Sequence, residues 1–351
     1  MAENVEYMDI VEAIENNEVN ERPERVIRDR LNPIEEFSDE TFLNRFRFPK
    51  AVVVELLEEL LTTHEFDDPQ KKITSIPAIN QLLLTLHFYS SSCFLRTDGD
   101  VFGVSKSSTS RIIKKCSAAI ASLKDRYISF PNENELQGIK TEFFNIARMP
   151  NIVGAIDCTH IPILSPGKDQ AELYRNRKGF YSINVQVIGD ANLLVRNIVA
   201  RWPGSTHDSR IFDNSVIADK FENGEIDGIL VGDNGYALKP YLLTPLLNPT
   251  TPAQRRYNYV HCQTRVKIEN LFGLMKSRFP CLALKLRLKK QTSLTVIIAC
   301  AVLHNLARIR NIPNEVPPPN GPEDVPVLQV DGNDVRGAAQ RSRMIELLSR
   351  Q

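Results

Sequence analysis

Apolar positions recur at helical spacing through the first 150 residues, then from Ile152 in short β-rich runs. The run "DETFLNRFRFPKAVVVELLEELLTTH", residues 39–64, predicts two short helices split at Pro49, because proline disfavours helix in the residue before it. Residues 75–124 predict three more. In the last of these, "SKSSTSRIIKKCSAAIASL", Ile112, Cys116, Ile120 and Leu123 form one apolar stripe and Ser105 is the expected N-cap. Lys106, Ser107, Ser110, Arg111 and Lys114 occupy its other faces. Small polar and basic residues at the start of such a helix suit base edges and phosphates, so the segment reads as helix-turn-helix-like. A plain three-helix bundle is the structural alternative.

From Ile152 onward "IVGAIDCTHIPI", "YSINVQVIGD", "LVRNIVARWPG" and "GILVGDNGY" predict strands bounded by turn residues. Helical segments are expected at 208–222, 264–279 and 292–310. Strands and helices sharing a core define an α/β domain. The proline-dense "IPNEVPPPNGPEDVP" predicts an extended tail with a short helix after Val335. The expected organisation is an acidic arm at 1–38, a helical helix-turn-helix-like region at 39–140, a catalytic α/β domain at 141–310 and a Pro-rich tail at 311–351.

Charge changes this picture. The 351 residues sum to a net charge of zero, but unevenly. Met1 to Phe66 holds about 17 acidic and 7 basic residues, whereas Thr251 to Arg310 holds about 12 basic residues and one acid, Glu269. A basic segment of this kind suggests a polyanionic partner, with a solvated basic face as the plainer reading. No long uncharged apolar run predicts a membrane span, and no basic-then-apolar leader is visible. The six scattered cysteines form no CxxC pair, which excludes a cysteine-built zinc module and fits reduced thiols.

Four carboxylates call for an explanation. Asp157 sits inside a strand-forming run, where an ionised group is costly to bury unless paired or coordinated. Asp208 follows the third strand at the mouth of a helix, where it could simply favour the helix dipole. Asp233 ends the fourth strand in "DNG", which is also plain turn chemistry. Glu269 borders a helical stripe of Ile268, Leu271, Phe272, Met275 and Phe279, with Arg265 and Lys276 on its side. Gathered acids repel and need cations. Hard divalent ions with oxygen ligands, Mg²⁺ or Mn²⁺, answer that need, and two of them serve phosphodiester cleavage. Arg265, Lys267 and Lys276 are then expected against phosphate, together with Lys106, Arg111 and Lys114. His160, His207 and His261 are expected in ordinary hydrogen bonds.

The ordered set "GAIDCTHIPI", "YRNRKGFYSINVQVIGD", "RWPGSTHDSRIF", "GDNGYALKPYLLTPL", "RYNYVHCQTRVKIENLFGLMKSRFPCL" and "ACAVLHNLARI" resembles the PIF/Harbinger transposases and the nucleases derived from them. The resemblance runs from about residue 40 to 310. It implies an RNase H-like catalytic domain of the DDE endonuclease superfamily, with the catalytic triad at Asp157, Asp233 and Glu269. Their separations are 233 − 157 = 76 and 269 − 233 = 36. The family's further aspartate falls on Asp208, a fourth metal contact. A divalent metal cofactor, DNA as substrate and a Myb/SANT-like partner protein are also implied. So is residence in the nucleus, with the cytoplasm as a second compartment. A homodimer would suit the joining of two DNA ends. The rival readings are a domesticated DNA- or chromatin-binding protein that has lost catalysis, and a hydrolase of small phosphoesters.

Overall fold

The computed structural model describes residues 32–63, 76–167, 169–314 and 334–350. The expected acidic arm up to residue 31 and most of the Pro-rich segment lie outside them.

Helix α1 (Asp39–Phe46) is capped by the Ser38 hydroxyl, which accepts from the Thr41 N–H, and ends at Arg47. Pro49 then caps α2 (Lys50–Leu61), so the split falls where proline predicts it. Helices α3 (Ala78–Ser91), α4 (Leu95–Val101) and α5 (Lys106–Ser122) form the expected trio. Ser105 caps α5 by accepting from Ser108. Ile112, Cys116, Ile120 and Leu123 are buried. Helix α6 (Glu133–Ala147) opens with a capping box of Asn132 and Glu135. It runs through residue 140, where a domain boundary was expected, and packs on the first strand.

A five-stranded sheet follows, in the order β3-β2-β1-β4-β5. Strands β1 (Ile152–Pro162), β2 (Ser182–Gly189) and β3 (Val195–Pro203) form an antiparallel meander. Two short helices, α7 (Asp208–Asp213) and α8 (Val216–Glu222), replace the single helix expected at 208–222. Ser215 breaks it by capping α8. Strand β4 (Ile229–Val231) then pairs parallel to β1, and β5 (Leu242–Leu243) parallel to β4. Two residues are too few for β5 to show a period in sequence.

Helix α9 (Pro252–Arg278) begins twelve residues before the expected 264, because Thr251 and Gln254 make a capping box with Pro252 at the first turn. Helix α10 (Lys290–Ile309) is long and apolar enough to cross a membrane by length and composition, against the expectation from sequence. It is a core helix, two-thirds buried between α5 and β3. Helix α11 (Val335–Ser349) packs on α9.

The sheet is covered on both faces. Ala155, Val187 and Val231 join one core with α9, α10 and the N-terminal helices, while Val153, Ile156 and Leu230 join another with α7 and α8. Gly189 allows close approach of the first layer, since a Cβ there would stand 2.6 Å from Leu271. Asn32–Gln351 forms a single compact unit.

Candidate active site

Strand register brings the first two acids together. Ala155 of β1 pairs with Val231 of β4 in parallel. Asp157 lies two residues further along β1, and Asp233 two residues beyond Val231, in the turn that follows β4. Alternation along β1 turns Asp157 to the face that Ala155 shares with α9. Asp208 enters from the first turn of α7. Oxygens of Asp157, Asp208 and Asp233 lie within 4.8 Å of one another.

Each carboxylate is held. Asp157 Oδ1 accepts from the Cys158 N–H at 2.7 Å, and Asp233 Oδ1 from the Gly235 N–H at 2.9 Å. Asn184, inside the wholly buried β2, donates to Asp208 Oδ1 at 2.9 Å and to the Thr206 carbonyl. Gly235 is needed for space. A Cβ there would stand 2.9 Å from Asp233 Oδ1 and 3.2 Å from Asp208 Oδ2.

The fourth acid reaches the group through a cation. Arg265 donates to Asp157 Oδ2 at 3.1 Å and pairs with Glu269 one turn along α9. The three side chains are only about one-fifth exposed, at 17% for Asp157, 20% for Glu269 and 21% for Arg265. Arg265 was expected against phosphate; here two carboxylates engage it. Lys267 and Lys276, further along α9, are half-buried. Lys106, Arg111 and Lys114 are exposed on α5, beside Ser107 and Ser110. The histidines have hydrogen-bond partners: His160 has Ser182, His207 has Arg177, and buried His261 has the Leu243 carbonyl.

Electrostatics follow from this crowding. Burial, then the negative charge of Asp233, pushes the Asp157 carboxyl well above the usual carboxylate range, against the pull of Arg265. Burial and the Asp208 charge raise Asp233. Three hard oxygen donors gathered within 4.8 Å fit a divalent cation.

Sequence reasoning missed Asn184, Arg177 and Gly235. The signal for Asn184 was a polar residue inside a run otherwise fit for full burial. Gly235 was visible as the glycine of "DNG" but only as turn chemistry, and nothing local marks Arg177, because its role depends on His207 arriving from elsewhere.

The α/β chain thus gathers three aspartates from the middle of β1, the start of α7 and the turn after β4. Residues 156–305 match the DDE superfamily endonuclease family. The chain is 33% identical over 298 residues to the human protein named "Putative nuclease HARBI1", covering 84% of each chain. It is 29% identical to the Xenopus laevis protein of that name, covering 78% of this chain and 80% of the relative. It is also 26% identical to an Arabidopsis thaliana protein, "Protein ALP1-like", covering 65% of this chain and 60% of that one. No solved structure matches. The chain belongs to the Harbinger transposase-derived nuclease family, a branch of the DDE superfamily endonucleases.

Proposed function

We propose that this protein is a divalent-metal-dependent DNA endonuclease that hydrolyses phosphodiester bonds at the acidic cluster. The observation that carries the reading is the convergence of Asp157, Asp208 and Asp233 from β1, α7 and the end of β4 to within 4.8 Å. Strand order supports an RNase H-like domain, with an antiparallel meander followed by two parallel additions. The exposed cations of α5 support a helix-turn-helix role in holding duplex DNA.

Asp157, Asp208 and Asp233 would hold the cations, Mg²⁺ or Mn²⁺, and Glu269 would complete a set large enough for two. When bound, such ions supply an activated water and neutralise charge on the phosphate. The chain's own residues supply positioning. Arg265 fixes Asp157 and Glu269 in one ion-pair network, and Asn184 orients Asp208. Gly235 leaves the acids room to approach. A Myb/SANT-like partner, a homodimer that joins two DNA ends and nuclear residence complete the proposal on family grounds.

A second reading, a DNA- or chromatin-binding protein without catalysis, is favoured by Arg265, whose guanidinium already neutralises two acids. The deciding experiment is nicking of supercoiled plasmid with Mn²⁺, with and without nuclear extract to supply a partner. Asp233→Ala and a chelator serve as controls. Nicking abolished by both controls supports the endonuclease. DNA binding without nicking under every condition sinks it in favour of the second reading.

A further inference from the structure

Between Glu269 and Glu315 the chain carries no carboxylate. Within that stretch "KLRLKK" does not belong to any helix until Lys290. It is pinned by Leu286, which bridges in parallel to Ile163 just beyond β1. The Leu286 N–H donates to the Pro162 carbonyl at 2.9 Å, and the Leu164 N–H to the Leu286 carbonyl at 3.3 Å. Extension gives a two-residue period. Leu286 and Leu288 are buried, whereas Lys285, Arg287 and Lys289 are exposed.

The middle of this ridge and the residue just past its far end are tied to neighbouring elements. Arg287 lies over the Phe94 ring at 4.4 Å, and Phe94 is the 61%-exposed N-cap of α4 in the helical region. Lys290 lies over the Tyr174 ring at 5.3 Å and reaches Gln170 at 3.2 Å. Three residues beyond Tyr174, Arg177 meets His207 at 2.7 Å, and His207 caps the helix that begins with Asp208. Arg177 is close enough for its charge to act on Asp233. Two acids interrupt this succession: Glu172, which is paired with Arg175, and Asp169, exposed beside Gln170.

We infer that Lys285, Arg287 and Lys289 form a phosphate-binding track for duplex DNA, running from the helical region to the acidic cluster. The track rests on the endonuclease reading and extends it to residues outside the acidic site and α5. Its cations are solvent-facing, successive side chains stand about 7 Å apart along an extended backbone, and no acid shares the ridge. It touches no base-reading element, so it contributes affinity and register without sequence preference.

The test is duplex binding by the full chain in chelator, followed by fluorescence anisotropy over a series of salt concentrations. The variant is Lys285→Ala/Arg287→Ala/Lys289→Ala, read beside wild type and beside plasmid nicking in Mn²⁺. Each lost phosphate contact lowers the slope of log K against log salt by about 0.9. The expected drop is therefore roughly 2–3, equal on unrelated duplexes, with thermal stability and Mn²⁺ binding retained. An unchanged slope in a variant whose wild type binds DNA overturns the track alone. Wild type that binds through the track yet never nicks overturns the endonuclease reading and leaves the track standing. Wild type with no salt-dependent duplex binding overturns the track, while nicking with nuclear extract still decides the endonuclease reading.

Discussion

Arg265 on α9 donates to Asp157 on β1 across 3.1 Å, and its second nitrogen is taken by Glu269. One guanidinium thus joins two of the acids that family resemblance assigns to catalysis. Removing it leaves both acids partly buried and uncompensated. Arg265→Ala is expected to destabilise the chelator-treated protein by about 1–3 kcal/mol. Mn²⁺ should restore more melting temperature to the variant than to wild type, because the ion then meets no resident cation. Thermal denaturation with chelator and with Mn²⁺ checks this; an equal shift in both proteins refutes it.

The raised carboxyls of Asp157 and Asp233 set a pH dependence. In the folded chain both bind protons more tightly than in the unfolded chain. Their ionised forms therefore cost stability at neutral pH, and the cost is relieved as pH falls through the raised values towards the ordinary carboxylate range. Metal-free protein should gain melting temperature on going from pH 7 towards pH 5, and Asp157→Asn should flatten that gain. In chelator at pH 7 the same variant should be more stable than wild type. Calorimetry across the pH series reads both.

Gly235 is close-packed against two acids, so the smallest addition tests the geometry. Gly235→Ala places a Cβ 2.9 Å from Asp233 Oδ1 and 3.2 Å from Asp208 Oδ2. The acids must separate by tenths of an ångström. Mn²⁺ affinity and nicking are both expected to fall at least about tenfold, the effect of roughly 1.4 kcal/mol, while the circular dichroism spectrum is retained. Titration calorimetry with Mn²⁺ is the direct measurement, and wild-type affinity in the variant contradicts the packing.

A second titration lies in the helical region. His87 Nδ1 meets Asp98 Oδ1 at 2.6 Å, and the Asp98 side chain is fully buried. Burial works against a charged His87, but the bonds and charges of Asp98 and Cys93 outweigh it and raise the group from 6.5 to about 9. Burial raises Asp98 as well. Both shifts have the same sign: the folded state holds protons more tightly. The His87 contribution is complete below pH 6.5 and is lost as pH rises through about 9. It amounts to at most roughly 3 kcal/mol. His87→Gln should remove the fall in stability between those pH values, as urea denaturation at pH 6 and pH 9.5 would show.

Local pattern determined much of this protein. Pro49 placed the break between α1 and α2, Ser105 placed the start of α5, and β-rich runs bounded by turn residues marked β1 to β3. These are legible because caps, proline and periodicity act within a few residues. The four acids stood out too, since each interrupts or borders an apolar run. The "TPAQ" capping box at the start of α9 was equally local, although the apolar stripe placed the helix start at 264.

Tertiary structure alone decided the rest. Asp157 and Asp233 are 76 residues apart and meet because β4 pairs parallel to β1, with Ala155 opposite Val231 after a register shift between Ile152 and Gly154. A shift of one residue in β1 would turn Asp157 to the opposite face. Arg265 became a partner of Asp157 because α9 packs on that same face. Such pairings are long-range, and no window of sequence contains both members. Sequence determined which residues could carry the chemistry; register and packing decided which of them stand together.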